Sequence, residues 1–123
     1  MTPAKPAADE AAVKEVTLAV QAWAKAWSSK DMSAYLGAYG KDFDPPGKQS
    51  RSNWETDRRL RITGKSSITV KLENLSVNVN GSKATAKFRQ DYRADALSVS
   101  SRKTLELHKV GERWLIVKES TGN

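Results

Sequence analysis

Trp54, Arg58 and Arg61 follow one another at spacings of four and three residues, so on a helix an indole and two guanidinium groups share a face. Such a wall stacks on a flat group and offers bidentate donors to a carboxylate or phosphate. A plainer reading makes Trp54 a plug for an open end of the fold and pairs the arginines with Glu55, Asp57 or Asp91. Gln90 and Tyr92 alternate in phase with Phe88, which puts an amide and a phenol on the core side of a strand. Buried there, each needs a partner: a small polar pocket, or one another and nearby backbone. Lys103 is in phase with Leu105, so its ammonium can enter the same interior and meet Glu119, or it can snorkel to the rim. With Tyr39, which shares a helical face with Met32, Tyr35 and Leu36, the expected ligand-binding set is Tyr39, Trp54, Arg58, Gln90, Tyr92 and Lys103.

General acid/base catalysis needs an Asp or His held in a cavity that tunes its pKa. Asp42 and Asp44 fall in the segment after the second helix, and His108 lies on the polar phase of its strand. None has a partner in the pattern, and no catalytic residue is assigned. The chain contains no Cys and a single His, which excludes disulfides, thiol nucleophiles, Cys-ligated zinc and His-rich metal sites. No cofactor or metal is expected.

A net charge of +7 favours an anionic partner. Lys48, Arg51, Arg58, Arg59, Arg61 and Lys65 stand against Glu55 and Asp57 in one short stretch and could contact phosphates. No nucleic-acid motif accompanies them, so no specific nucleic acid is expected.

These residues must be positioned by one domain, because 123 residues suffice for one core and not for two. No apolar run approaches the roughly 20 residues that span a bilayer. Met1 to Ala12 lacks the apolar stretch of a secretory signal and reads as a linker or disordered segment, the seam where a domain was cut from a longer protein. The domain itself is expected over 13–120.

Val13, Val16, Val20, Trp23 and Trp27 draw one apolar stripe along a long helix. Asp31 can cap a second helix carrying Met32, Tyr35, Leu36 and Tyr39. Gly40 to Ser50, with Asp44-Pro45-Pro46-Gly47, is expected to be a loop. Ser52 and Glu55 form a capping-box signature for a third helix over about Asn53 to Ile62. After Gly64 the period becomes two, with a slip at Glu73-Asn74 that predicts a bulge. Asn80-Gly81 marks a hairpin. A strand over about Lys83 to Arg93 follows, with Ala84, Ala86, Phe88, Gln90 and Tyr92 inward and Arg89, Asp91 and Arg93 outward. The next strand presents Val99, Leu105 and Leu107 inward; the last, Trp114 to Glu119, is apolar in both phases, which argues that both its faces are covered. The order predicts an α+β fold: three N-terminal helices packed on a curved antiparallel sheet of about four strands.

From about Val13 to Ser120 the sequence resembles the nuclear-transport-factor-2-like (SnoaL-like) cone fold. More narrowly it is similar to the C-terminal domain of bacterial cell-shape-type L,D-transpeptidases and of some tetratricopeptide-repeat envelope proteins. The resemblance rests on AWAKAWSSKDMSAYLGAYGKDF (Ala22 to Phe43), SRSNWETDRRLRI (Ser50 to Ile62), FRQDYRAD (Phe88 to Asp95) and RKTLELHKVGERWLIVKE (Arg102 to Glu119). The first segment is generic to the superfamily, and the second and third are more specific to the subgroup.

The resemblance implies an accessory module, a homodimer through the outer sheet face, and a periplasmic or cell-envelope setting within a longer protein, with a cytoplasmic one still open. Transpeptidation in such proteins belongs to a separate domain with a nucleophilic Cys, and this chain, without Cys, cannot perform it. The expected function is non-catalytic binding of an anionic cell-wall or glycan group together with dimerisation. The alternative is a small-molecule isomerase or hydrolase of the SnoaL-like kind, since one fold hosts many functions.

Overall fold

The computed structural model describes residues 6–121. Helix α1 (Pro6–Ser29) carries the predicted stripe, and Val16, Val20, Trp23 and Trp27 are all buried on it. It starts at Pro6, inside the segment expected to be a linker. Proline at the first helical position gives up an N–H that has no intrahelical partner there anyway, and the alanines that follow are the strongest helix formers. Met1 to Lys5 lie outside the described residues. At the other end Lys30 adopts φ 60°, and Asp31 caps α2 (Met32–Gly37) by accepting a hydrogen bond from the Ala34 N–H at 3.1 Å.

Tyr39 does not close the face of that second helix. It opens a strand, β1 (Tyr39–Asp44), within the stretch expected to be a loop. Long-range pairing overrides the local signal: β1 runs parallel to the last strand, and the Ile116 N–H donates to the Ala38 carbonyl at 2.9 Å. Gly40 permits the approach, because a Cβ there would stand 3.3 Å from that of Leu115. The prolines break the chain only after Asp44, in a short 3-10 turn, Pro46–Lys48.

Helix α3 (Arg51–Thr63) is capped by Ser50, whose hydroxyl accepts from the Asn53 N–H at 3.0 Å. The expected Ser52–Glu55 capping box does not form. Ser52 lies inside the first turn, whereas Ser50 has the extended backbone that a cap requires. Glu55 instead binds Arg51 one turn back at 2.7 Å.

Four long strands complete the sheet: β2 (Ile68–Asn80), β3 (Lys83–Ala94), β4 (Leu97–Val110) and β5 (Arg113–Thr121). They form an antiparallel meander, and β1 adds to β5 to give the order β1-β5-β4-β3-β2. The sheet is therefore mixed and has five strands, one more than expected and one pairing parallel. The bulge stands where the pattern slips, with the register shifting between Glu73 and Ser76 and Asn74 at φ 57°. In the first hairpin Asn80 pairs with Lys83, so the tip is Gly81-Ser82, and Gly81 takes the left-handed φ of 66°.

Ala84, Ala86, Phe88, Leu105, Leu107, Trp114 and Ile116 meet the helical stripe in one core. Val99 has the expected phase but is 45% exposed. Residues 97–100 of β4 are all exposed, so the apolar cover ends short of them.

Candidate functional site

The interior between helices and sheet is polar at its centre. Helix α3 sends Arg58 inward, where its Nε donates to the Tyr35 hydroxyl at 3.0 Å. The Tyr35 and Tyr39 hydroxyls lie 3.3 Å apart. Tyr39 donates to Glu119 Oε1 at 2.8 Å, and Lys103 Nζ donates to Glu119 Oε2 at 2.7 Å. Trp23 Nε1 donates to the Tyr39 hydroxyl at 2.9 Å. One continuous hydrogen-bonded line therefore joins α3, α2, β1, β5 and β4.

Proton counting gives this line a direction. A phenol carries one hydroxyl proton, and Tyr39 commits its own to the carboxylate. Tyr39 then accepts from both Trp23 and Tyr35, and Tyr35 accepts from Arg58. Donors point from the guanidinium toward Glu119 along the whole route. Burial pushes the Tyr39 phenol well above its ordinary pKa, and the negative charge of Glu119 adds to this. Burial also raises Tyr35, against the opposing pull of Arg58. Burial works against the charge on Arg58, but Tyr35 and, more weakly, Tyr39 and Glu119 outweigh it, so Arg58 is held as a cation.

Of the expected set, Tyr39, Arg58 and Lys103 are brought together in this network. Trp54 is buried beside the network, with its ring centroid 4.6 Å from both Tyr39 and Phe43. Arg61 is not part of the site; it pairs with Asp57 at 2.9 Å and is largely exposed. Tyr92 stacks on Trp27, with centroids 5.2 Å apart. Gln90 is buried, and its Oε1 has no hydrogen-bond partner among the described residues; the same holds for Trp27 Nε1. One acceptor and one donor thus remain open on the inner wall. Arg58 lies over the Trp27 ring at 5.1 Å, a cation–π contact that orients its fork.

Asp42 and Asp44 are exposed on β1, and His108 is half-buried on the outward side of β4. None of them reaches the interior network.

Tyr35, Trp23 and Trp27 are site residues that the pattern marked only as core. A signal existed: all three occupy core-facing positions and all three carry a polar tip, and a buried Tyr or Trp usually finds a hydrogen-bond partner.

The sequence matches the family model described as the Cds6 C-terminal NTF2-like domain over residues 15–120. No curated protein matches it. Among solved structures it is similar to Bd1075 of Bdellovibrio bacteriovorus, with a TM-score of 0.82 and 22% identity over 89% of this chain and 39% of that one. It is also similar to an NTF2-like protein of unknown function from Pseudomonas putida KT2440, with a TM-score of 0.79 and 17% identity over 92% of this chain and 87% of that one. A lysine-to-alanine mutant of the helical cell shape determining protein Pgp2 from Campylobacter jejuni gives a TM-score of 0.74 and 16% identity over 83% of this chain and 38% of that one. The chain thus spans about two fifths of the length of Bd1075 and of Pgp2. At these identities the likeness speaks for the cone fold; membership comes from the family model, which covers nearly the whole described chain. The protein belongs to the family of Cds6 C-terminal NTF2-like domains.

Proposed function

We propose that the chain is a non-catalytic accessory domain of a bacterial cell-envelope protein, binding an anionic cell-wall group through Arg58 and the polar interior beneath it. One observation carries this reading. The network holds two cations, Arg58 and Lys103, and one anion, Glu119. Lys103 is matched by Glu119, so the excess positive charge belongs to Arg58, whose hydrogen-bond partner is a neutral phenol. Its terminal nitrogens have no carboxylate within ion-pair distance among the described residues. A planar, half-buried guanidinium held on Trp27 and Tyr35 is well suited to a carboxylate. Every Trp, Phe and Tyr is buried except the half-buried Tyr92, so an exposed sugar-stacking platform is lacking and the charged group is the point of recognition.

The envelope setting is supported by the likeness to Pgp2, named for cell-shape determination. A dimer through the sheet is supported by β5, where Leu115 and Val117 are half-buried in the outward phase beside Gly40. The isomerase or hydrolase reading is weaker, because both oxygens of Glu119 are already bonded. Amide NMR titration with soluble peptidoglycan fragments tests the proposal. Saturable shifts at Trp54, Arg58, Gln90 and Lys103 support it, and no shift at millimolar fragment refutes it.

A further inference from the structure

The other side of the sheet carries a cleft of about 550 Å³, whose lining shares Lys103 with the interior network and also includes Phe88 and Ser101. Its walls come from the outward positions of three strands, Ser76 on β2, Lys87 and Arg89 on β3, and Ser100, Arg102 and Thr104 on β4. The bulge at Glu73 to Ser76 shapes one edge and brings Asn74 to the rim. No Asp or Glu lines it.

The charges in this cleft are arranged against their own interest. Arg89 and Arg102 are direct cross-strand partners, and like charges so placed repel. The acids that could relieve them are engaged or out of reach. Glu73 is the register partner of Arg89 on β2 but makes no ion pair with it, and Asp91 turns to Arg93 at 3.7 Å. Arg89 Nε is held by the Ser100 hydroxyl at 2.9 Å, which fixes the guanidinium over the cleft instead of letting it swing away. Lys87, Arg89 and Arg102 have no carboxylate partner among the described residues.

We propose that this cleft binds a phosphoryl oxyanion, with Arg89 and Arg102 gripping its oxygens from neighbouring strands. A single guanidinium fork already satisfies a planar carboxylate. Two forks, an ammonium and three hydroxyls converging from different strands suit a multiply charged tetrahedral group with oxygens in several directions. The volume admits a small phosphoester and falls in the range of ordinary ligand pockets. Because the chain has no exposed aromatic side chain, the base stacking that sustains single-stranded nucleic-acid binding is missing.

Titration of the full chain with inorganic pyrophosphate tests the proposal, at constant ionic strength and with sodium acetate as control. The expected result is saturable amide shifts confined to Ser76, Lys87, Arg89, Ser100, Arg102 and Thr104. Arg89→Ala and Arg102→Ala should each weaken binding by about tenfold or more, the usual effect of losing a charge-assisted hydrogen bond. Arg58→Ala should leave pyrophosphate affinity unchanged, which separates this site from the interior one. Unchanged affinity in a folded Arg89→Ala/Arg102→Ala variant would overturn the proposal, as would acetate producing the same shifts at the same concentration. So would shifts scattered over all surface lysines and arginines.

Discussion

The Tyr39 hydroxyl stands 2.8 Å from Glu119 Oε1, joining residues eighty positions apart in the chain. This bond ties the parallel edge strand to the end of the meander, where Lys103 also donates to Glu119 and the line that starts at Arg58 and passes through Tyr35 ends.

Tyr39→Phe keeps the ring and its contacts with Phe43 and Trp54, but leaves Trp23 Nε1 without its acceptor and Glu119 with one donor fewer. The expected loss is about 1–3 kcal/mol, the effect of an unsatisfied buried polar group. Urea denaturation, with an unchanged m-value, measures it.

Lys103→Met leaves the half-buried Glu119 carboxylate without its counter-charge and with Tyr39 as its donor. Breaking a buried pair by removing one partner costs about 3–5 kcal/mol, whereas replacing both partners with apolar groups is often neutral. The double variant Lys103→Met/Glu119→Leu should therefore recover most of the stability lost by the single one. A double-mutant cycle read by thermal unfolding checks the coupling.

The raised Tyr35 and Tyr39 phenols set an alkaline limit. Their folded pKa values exceed the unfolded value of about 10, so the native state holds more protons than the unfolded one above that pH. Their contribution is fully present below about pH 10 and is lost as pH rises through the folded values. Denaturation midpoints measured from pH 8 to 11 should fall only at the top of that range, and Tyr39→Phe should flatten the fall.

Ser50→Ala should destabilise the chain by about 1 kcal/mol, and Ser52→Ala by much less, because only Ser50 caps α3. Helix content and midpoint temperature of the two variants decide the point.

Much of this was legible from residue spacing. The α1 stripe and the bulge at Glu73 follow from period and phase, and the Asp31 cap from residue type, which are local properties. The meeting of Lys103 with Glu119 is one of two readings that phase leaves open, and it is reached through a register shift between β4 and β5. The strand at Tyr39–Asp44 was not legible, because its signal is a pairing with β5 more than seventy residues away and its own sequence ends in prolines. Ser50 and Ser52 are both plausible caps by type, and only the backbone angles choose between them. The site was half legible. Arg58 is marked by its one-turn spacing from Trp54 and Lys103 by its phase with Leu105, whereas Tyr35, Trp23 and Trp27 look like core until their polar tips are traced.

The most direct test compares the affinity of the wild-type chain and Arg58→Ala for a carboxylate-bearing peptidoglycan fragment and for its amidated, neutral counterpart. Wild-type binding should favour the carboxylate form by about tenfold, and Arg58→Ala should abolish that preference while remaining folded, as expected for a lost charge-assisted contact. Equal affinity for both forms, or an Arg58→Ala variant that loses stability but keeps the preference, would contradict a ligand role for Arg58 and leave it a structural member of the network.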